Sequence, residues 1–113
     1  MKPEDLKKLA RKLGECICVC NDCFTCCLDE PDVARMAGCI RCNKDCIDVC
    51  SAALALVYNK GRCAEEILEM CARMCEMCAE ECSKFPHDHC KECAAVCRQC
   101  AKECNDCLKA MKK

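Results

Sequence analysis

The chain has 113 residues, of which 21 are cysteine, and carries 18 Lys+Arg against 19 Asp+Glu for a formal charge of −1. That length suits one domain, residues 1–113, and the even charge balance argues against a nucleic-acid partner. Apolar residues reach 53% only because cysteine is counted; without it roughly a third of the chain remains, with no Trp, one Tyr and two Phe, so any core is built substantially from sulfur.

No apolar run approaches a membrane span, and the opening Met1-Lys2-Pro3-Glu4-Asp5 lacks the apolar stretch of a signal peptide. A cytoplasmic location away from membranes is therefore expected. Three breaks, at Asp29-Glu30-Pro31-Asp32, Asn59-Lys60-Gly61-Arg62 and Phe85-Pro86-His87-Asp88, divide the chain into four segments rich in helix formers.

The first predicted helix, 4–28, begins beside Pro3, which suits a first turn. Leu6, Leu9 and Leu13 lead into Cys16, Cys20, Cys23 and Cys27, which share an arc of about 60°, with Cys26 at its edge and Cys18 roughly opposite. The second, 32–58, places Cys39, Cys42, Cys46 and Cys50 within about 80° and closes on Ala53, Leu54 and Val57, with Gly61 suited to its exit. The third, 64–84, starts with Ile67 and Leu68 and carries Cys71, Cys75, Cys78 and Cys82 in about 60°; Cys63 lies about a quarter-turn off that stripe. Met70, Met74 and Met77 form a separate stripe, read as packing between subunits. The fourth, 88–111, has Asp88 as its cap, sets Cys90, Cys93, Cys97, Cys100, Cys104 and Cys107 within about 100°, and ends on Leu108 and Met111.

Short connections make sequential helices antiparallel, so the predicted fold is all-α, an up-down-up-down four-helix bundle with a cysteine-lined core. The aliphatic residues then gather at one end as a dry hydrocarbon plug. The opposite end, near Cys26, Cys27, Cys39, Cys82 and Cys90, becomes a mouth, where His87 and His89 could accept an incoming ion.

A disulfide framework meets three objections: an odd cysteine count, no export signal, and only three Gly and three Pro. Repeated CxxxC pairs, such as Cys16/Cys20, Cys42/Cys46, Cys71/Cys75 and Cys93/Cys97, turn two sulfurs to one side, because i and i+4 side chains lie about 5–6 Å apart. Two or three thiolates suit Cu(I), whereas Zn(II) asks for isolated tetrahedra. CxxC pairs such as Cys75/Cys78 follow from the same alternation of threes and fours. The alternative is a thiol-rich iron–sulfur or zinc cluster protein, or a thiol redox buffer, but no cysteine precedes a proline as in the bacterial iron–sulfur run. No nucleophile–base pair or phosphate loop points to an enzyme. The expected function is therefore storage of many Cu(I) ions, a non-enzymatic role.

The run Cys71-Ala72-Arg73-Met74-Cys75-Glu76-Met77-Cys78-Ala79-Glu80-Glu81-Cys82, followed by His87-Asp88-His89-Cys90-Lys91-Glu92-Cys93-Ala94-Ala95-Val96-Cys97, closely resembles the bacterial copper storage proteins. Cys39-Ile40-Arg41 and Cys46-Ile47-Asp48-Val49-Cys50 are similar to the same family's second helix, and the resemblance runs from about Cys16 to Cys107. It implies Cu(I) bound by core cysteines, histidines near the open end, a homotetramer and a cytosolic location, with copper ions as cargo and a copper chaperone or efflux system as possible exchange partners. The family pattern leads one to expect Cys42 and Cys63 at non-ligating positions.

Overall fold

The computed structural model describes residues 1–112. Four helices, α1 (Pro3–Leu28), α2 (Ala37–Tyr58), α3 (Ala64–Cys82) and α4 (Asp88–Met111), pack in a closed ring in which α1 meets α2, α2 meets α3, α3 meets α4, and α4 returns to α1. The described residues measure 47 × 19 × 18 Å. This is the antiparallel four-helix bundle expected from the sequence.

Local chemistry explains most helix ends. Pro3 occupies the first turn of α1, and the Asp5 carboxylate accepts a 3.0 Å bond from the Lys2 backbone N–H, satisfying a donor at the helix start. The second helix begins later than the predicted 32: a separate turn of 3₁₀ helix covers Val33–Met36 before Ala37. That turn lets the chain double back and buries Met36 completely. At the exit of α2 the left-handed residue is Lys60, with φ 55°, rather than Gly61. Lys60 N–H reaches the Val57 carbonyl at 3.2 Å and Gly61 N–H reaches the Leu56 carbonyl at 2.8 Å, the paired bonds of a Schellman closure. Gly61 serves close approach instead, since a Cβ there would press on Leu56. The third helix stops at Cys82, two residues before the predicted end, and His87 holds the cap position of α4, leaving Asp88 inside its first turn where its charge complements the helix dipole.

Between α3 and α4, buried Ala72 and Ala79 face a helix carrying buried Ala94 and Ala101. Small side chains at seven-residue spacing let two backbones approach closely. At Gly38 of α2 the missing side chain leaves room for the Glu81 carboxylate of α3, which an added Cβ would meet.

At one end Leu9, Leu13, Ala53, Val57, Leu68 and Leu108 are buried, with Leu6, Leu54, Ile67 and Met111 packed against them. The space among Leu6, Leu9, Ala10, Leu13, Leu54, Val57 and Tyr58 leaves no room for a water molecule. This is the expected plug. No helix among the described residues is long and apolar enough to cross a membrane.

Candidate metal centre

Seventeen of the 21 cysteines are buried, and all 21 are free thiols. Successive steps of three or four residues bring another sulfur onto the inner face, so the four stripes meet along the bundle axis. Two of the expected ligands stand elsewhere. Cys26 is exposed, because it sits one residue before the inward Cys27 and so points about 100° away from it. Cys42 is only half-buried, at the margin of α2 within the fields of Glu81 and Asp45. Cys18 and Cys63 are exposed.

The inward sulfurs form one continuous column rather than separate clusters. Near its middle, Cys16 Sγ lies 4.0 Å from Cys20 and Cys46 and 3.8 Å from Cys97, and Cys20 lies 3.6 Å from Cys97. Towards the plug, Cys50 lies 3.7 Å from Cys71 and from Cys75, and Cys46 lies 3.8 Å from Cys75. Foursomes of mutually close sulfurs share members: Cys16 and Cys46 belong both to the set with Cys50 and Cys75 and to the set with Cys20 and Cys97. Cys50 and Cys75 recur in a third with Cys71 and Cys100. Shared sulfurs cannot serve several isolated tetrahedra at once, but they suit thiolates that bridge soft ions of low coordination number.

The thiols hold their protons unequally. Hydrogen bonds that require the proton, foremost from Cys100 for Cys75 and from Cys16 for Cys97, push these central thiols far above the usual range, and burial adds to the effect. Burial chiefly raises Cys107 to about 11 and Cys27 to about 11. Lowered thiols are interspersed with raised ones along the whole column: at the mouth, bonds from Cys39, then Cys82, bring Cys23 down to about 5, with a smaller contribution from His89, and further in Cys16, Cys46, Cys71 and Cys93 are lowered as well.

The mouth also separates the two histidines. His89 Nδ1 stands 3.4 Å from Cys23 Sγ and 3.5 Å from Cys90 Sγ, so its ring reaches the first sulfurs of the column. His87 faces Glu30 and Asp32. Cys82, also at this end, lies 3.2 Å from Cys39 and donates to Asn43 Oδ1 at 3.7 Å.

Asn43 is a buried polar residue of the column that the cysteine pattern does not announce. It is fully buried, and its Oδ1 accepts from Cys78 at 3.4 Å, Cys93 at 3.4 Å and Cys82 at 3.7 Å. Its Nδ2 donates to Cys39 Sγ at 3.8 Å. One amide thus joins the mouth sulfurs to the interior, and among the described residues it is the one buried polar side chain of the core. The available signal was positional: Asn43 lies four residues after Cys39 and three before Cys46, on the cysteine stripe itself.

The sequence signature of the copper storage proteins matches residues 2–109. The uncharacterized cysteine-rich protein YhjQ of Bacillus subtilis is 41% identical over 61 residues, 54% of this chain and 56% of that one, so the match spans little more than half of the curated relative's length. Among solved structures, the Cu(I)-bound copper storage protein BsCsp3 superposes with a TM-score of 0.86 at 36% identity, covering 90% of this chain and 96% of that one. A cytosolic copper storage protein from Streptomyces lividans, carrying five coppers, gives 0.90 at 33% identity, covering 94% and 93%. Fold, sulfur column and sequence signature agree: the chain belongs to the copper storage protein family.

Proposed function

We propose that this chain is a reservoir that takes up many Cu(I) ions on its seventeen buried cysteines, with His89 Nδ1 at the threshold. The observation that carries this reading is the run of neighbouring free thiols from Cys90 at the mouth to Cys100 and Cys104 towards the plug. Leu or Ile would fill the same seam better, so packing alone does not account for so much sulfur.

Each ion enters by exchange with protons: a thiol releases H⁺, and the resulting thiolate binds Cu(I). The depressed Cys23 thiol is the first partner with little proton to displace, and the bridging sulfurs below it offer successive positions. Asn43 Oδ1 lies within reach of the ions passing between the mouth and the central sulfurs. Cys26 and Cys42 are outside this set, as are Cys18 and Cys63. A cytoplasmic location, a homotetramer and exchange with a copper chaperone or efflux system complete the reading; the exposed Met70 and Met77 of α3 support an association surface. Copper enclosed by thiolates in a sealed tube is badly placed for turnover, which favours a store over an enzyme.

The test is anaerobic titration of the reduced protein with Cu(I) against a strong chelator. A store takes up many equivalents and stays colourless. Saturation at one or two ions, or a brown protein with visible absorption, would refute it in favour of a cluster or redox protein.

A further inference from the structure

The mouth holds a second set of donors that the sulfur column does not use. His87 Nε2 lies 3.2 Å from Glu30 Oε2 and 3.5 Å from Asp32 Oδ1, and His89 Nε2 lies 3.5 Å from Glu30 Oε1. Both nitrogens are sealed from solvent, yet neither has a hydrogen-bond partner of acceptable geometry. A buried polar atom left in this state calls for an explanation. The rings do not stack to account for it, since their centroids stand 5.3 Å apart at a tilt of 46°.

A cation accounts for both facts. With metal–nitrogen and metal–oxygen bonds of about 2.0–2.2 Å, neighbouring ligand atoms of a tetrahedron stand about 3.3–3.6 Å apart. The three nitrogen–oxygen separations of 3.2–3.5 Å match single ligand-to-ligand edges, with Glu30 turning Oε2 to His87 and Oε1 to His89 so that its carboxylate spans the two rings, and none of them supplies a well-directed hydrogen bond. The donors come from two segments, Glu30 and Asp32 between α1 and α2, and His87 and His89 at the start of α4, which meet only because the bundle brings those ends together.

We propose that the mouth carries a separate site for one divalent cation of the zinc(II) or cobalt(II) class, held by Nε2 of His87 and His89 and by the Glu30 and Asp32 carboxylates. Two carboxylates balance the charge of such an ion, and imidazole with carboxylate suits a borderline metal, whereas Cu(I) is drawn to the thiolates. His89 belongs to both sets: Nδ1 faces the Cys23 and Cys90 sulfurs, and Nε2 faces Glu30. An ion on Nε2 fixes the ring that stands over the first sulfurs. The outer site thereby closes the tube over its contents, a role that rests on the storage reading although the site itself does not.

The experiment loads the protein anaerobically with Cu(I), counts the copper bound, removes the excess and then titrates cobalt(II) chloride while recording absorption. One equivalent is expected, with weak visible bands and no sulfur-to-cobalt charge transfer. Glu30→Gln and His87→Ala are each expected to weaken cobalt binding by about tenfold or more. Failure of cobalt to bind, charge transfer showing thiolate ligation, or equal affinity in the wild type and Glu30→Gln overturns the proposal. The copper count judges storage separately. The same titration on the metal-free protein distinguishes cobalt at thiolates from cobalt at nitrogen and oxygen by the charge-transfer band, so a failure of storage does not conceal the outer site.

Discussion

Cys46 offers a direct way to separate sulfur as a ligand from sulfur as filling. It is fully buried on α2, lies 3.8 Å from Cys50 and Cys75 and 4.0 Å from Cys16, and belongs to two of the four-sulfur groups. Cys46→Ser keeps the size but buries a hydroxyl among sulfurs, which are poor acceptors, at a cost of about 1–3 kcal/mol. For a chain of this length that lowers Tm by about 4–12 °C. Cys46→Ala leaves a small void and costs about 1–2 kcal/mol by a different route. Both remove the same ligand, so both are expected to lower Cu(I) capacity by about one to two equivalents, the number of shared groups that lose a member. Exposed Cys18, replaced by Ser, is expected to change neither quantity. Thermal melts of metal-free protein and anaerobic Cu(I) titration in chelator competition measure the two effects. Full capacity in both Cys46 variants, or an equal loss in Cys18→Ser, would refute the assignment of the column.

The plug, the turn after α2 and the thiol protons give three further tests. Leu13→Ala should cost about 2–5 kcal/mol in chemical denaturation while copper capacity stays unchanged, because the loss is hydrocarbon at the closed end. Lys60→Gly should stabilise the protein by about 0.5–1 kcal/mol, seen as a higher denaturation midpoint, since glycine takes the left-handed conformation at φ 55° without a Cβ clash. Cys27 and Cys107 are raised from 9.0 to about 11, so the folded chain keeps protons that the unfolded chain releases. Their contribution is complete below pH 9 and is lost as pH rises towards 11, at up to about 1.4 kcal/mol per unit for each thiol. Melts of the metal-free protein under argon at pH 7.5, 9 and 10.5 should therefore show the fall concentrated between pH 9 and 10.5, and equal stability at those two values would contradict the burial of these thiols.

The sequence pattern was informative wherever periodicity alone decides orientation. Steps of three and four residues put the sulfurs of Cys90 through Cys107 on one face, and the structure buries all six. The clustering of Leu9, Leu13, Val57, Leu68 and Leu108 located the closed end for the same reason. Periodicity has little resolution at the edge of a stripe: Cys26, one residue from inward Cys27, falls outside the inner arc and is exposed, while Cys42 stands on the wheel beside Cys46 and only the packing of neighbours leaves it half-covered. Asn43 was hidden because an amide on a buried stripe is costly unless partners are present, and besides the local Cys39 those partners come from two other helices, at Cys78/Cys82 and Cys93. The late start of α2 and the left-handed Lys60 also depend on tertiary closure, since nothing in the local composition forbids a longer helix or favours lysine over the adjacent glycine.

The leucine seal at one end and the histidine threshold at the other make the interior a blind alley. Ions in single file there cannot overtake one another, so the last to arrive must be the first to depart. Withdrawal by a chelator should accordingly begin quickly and slow as deeper occupants wait their turn, giving the molecule a graded memory of how full it has been.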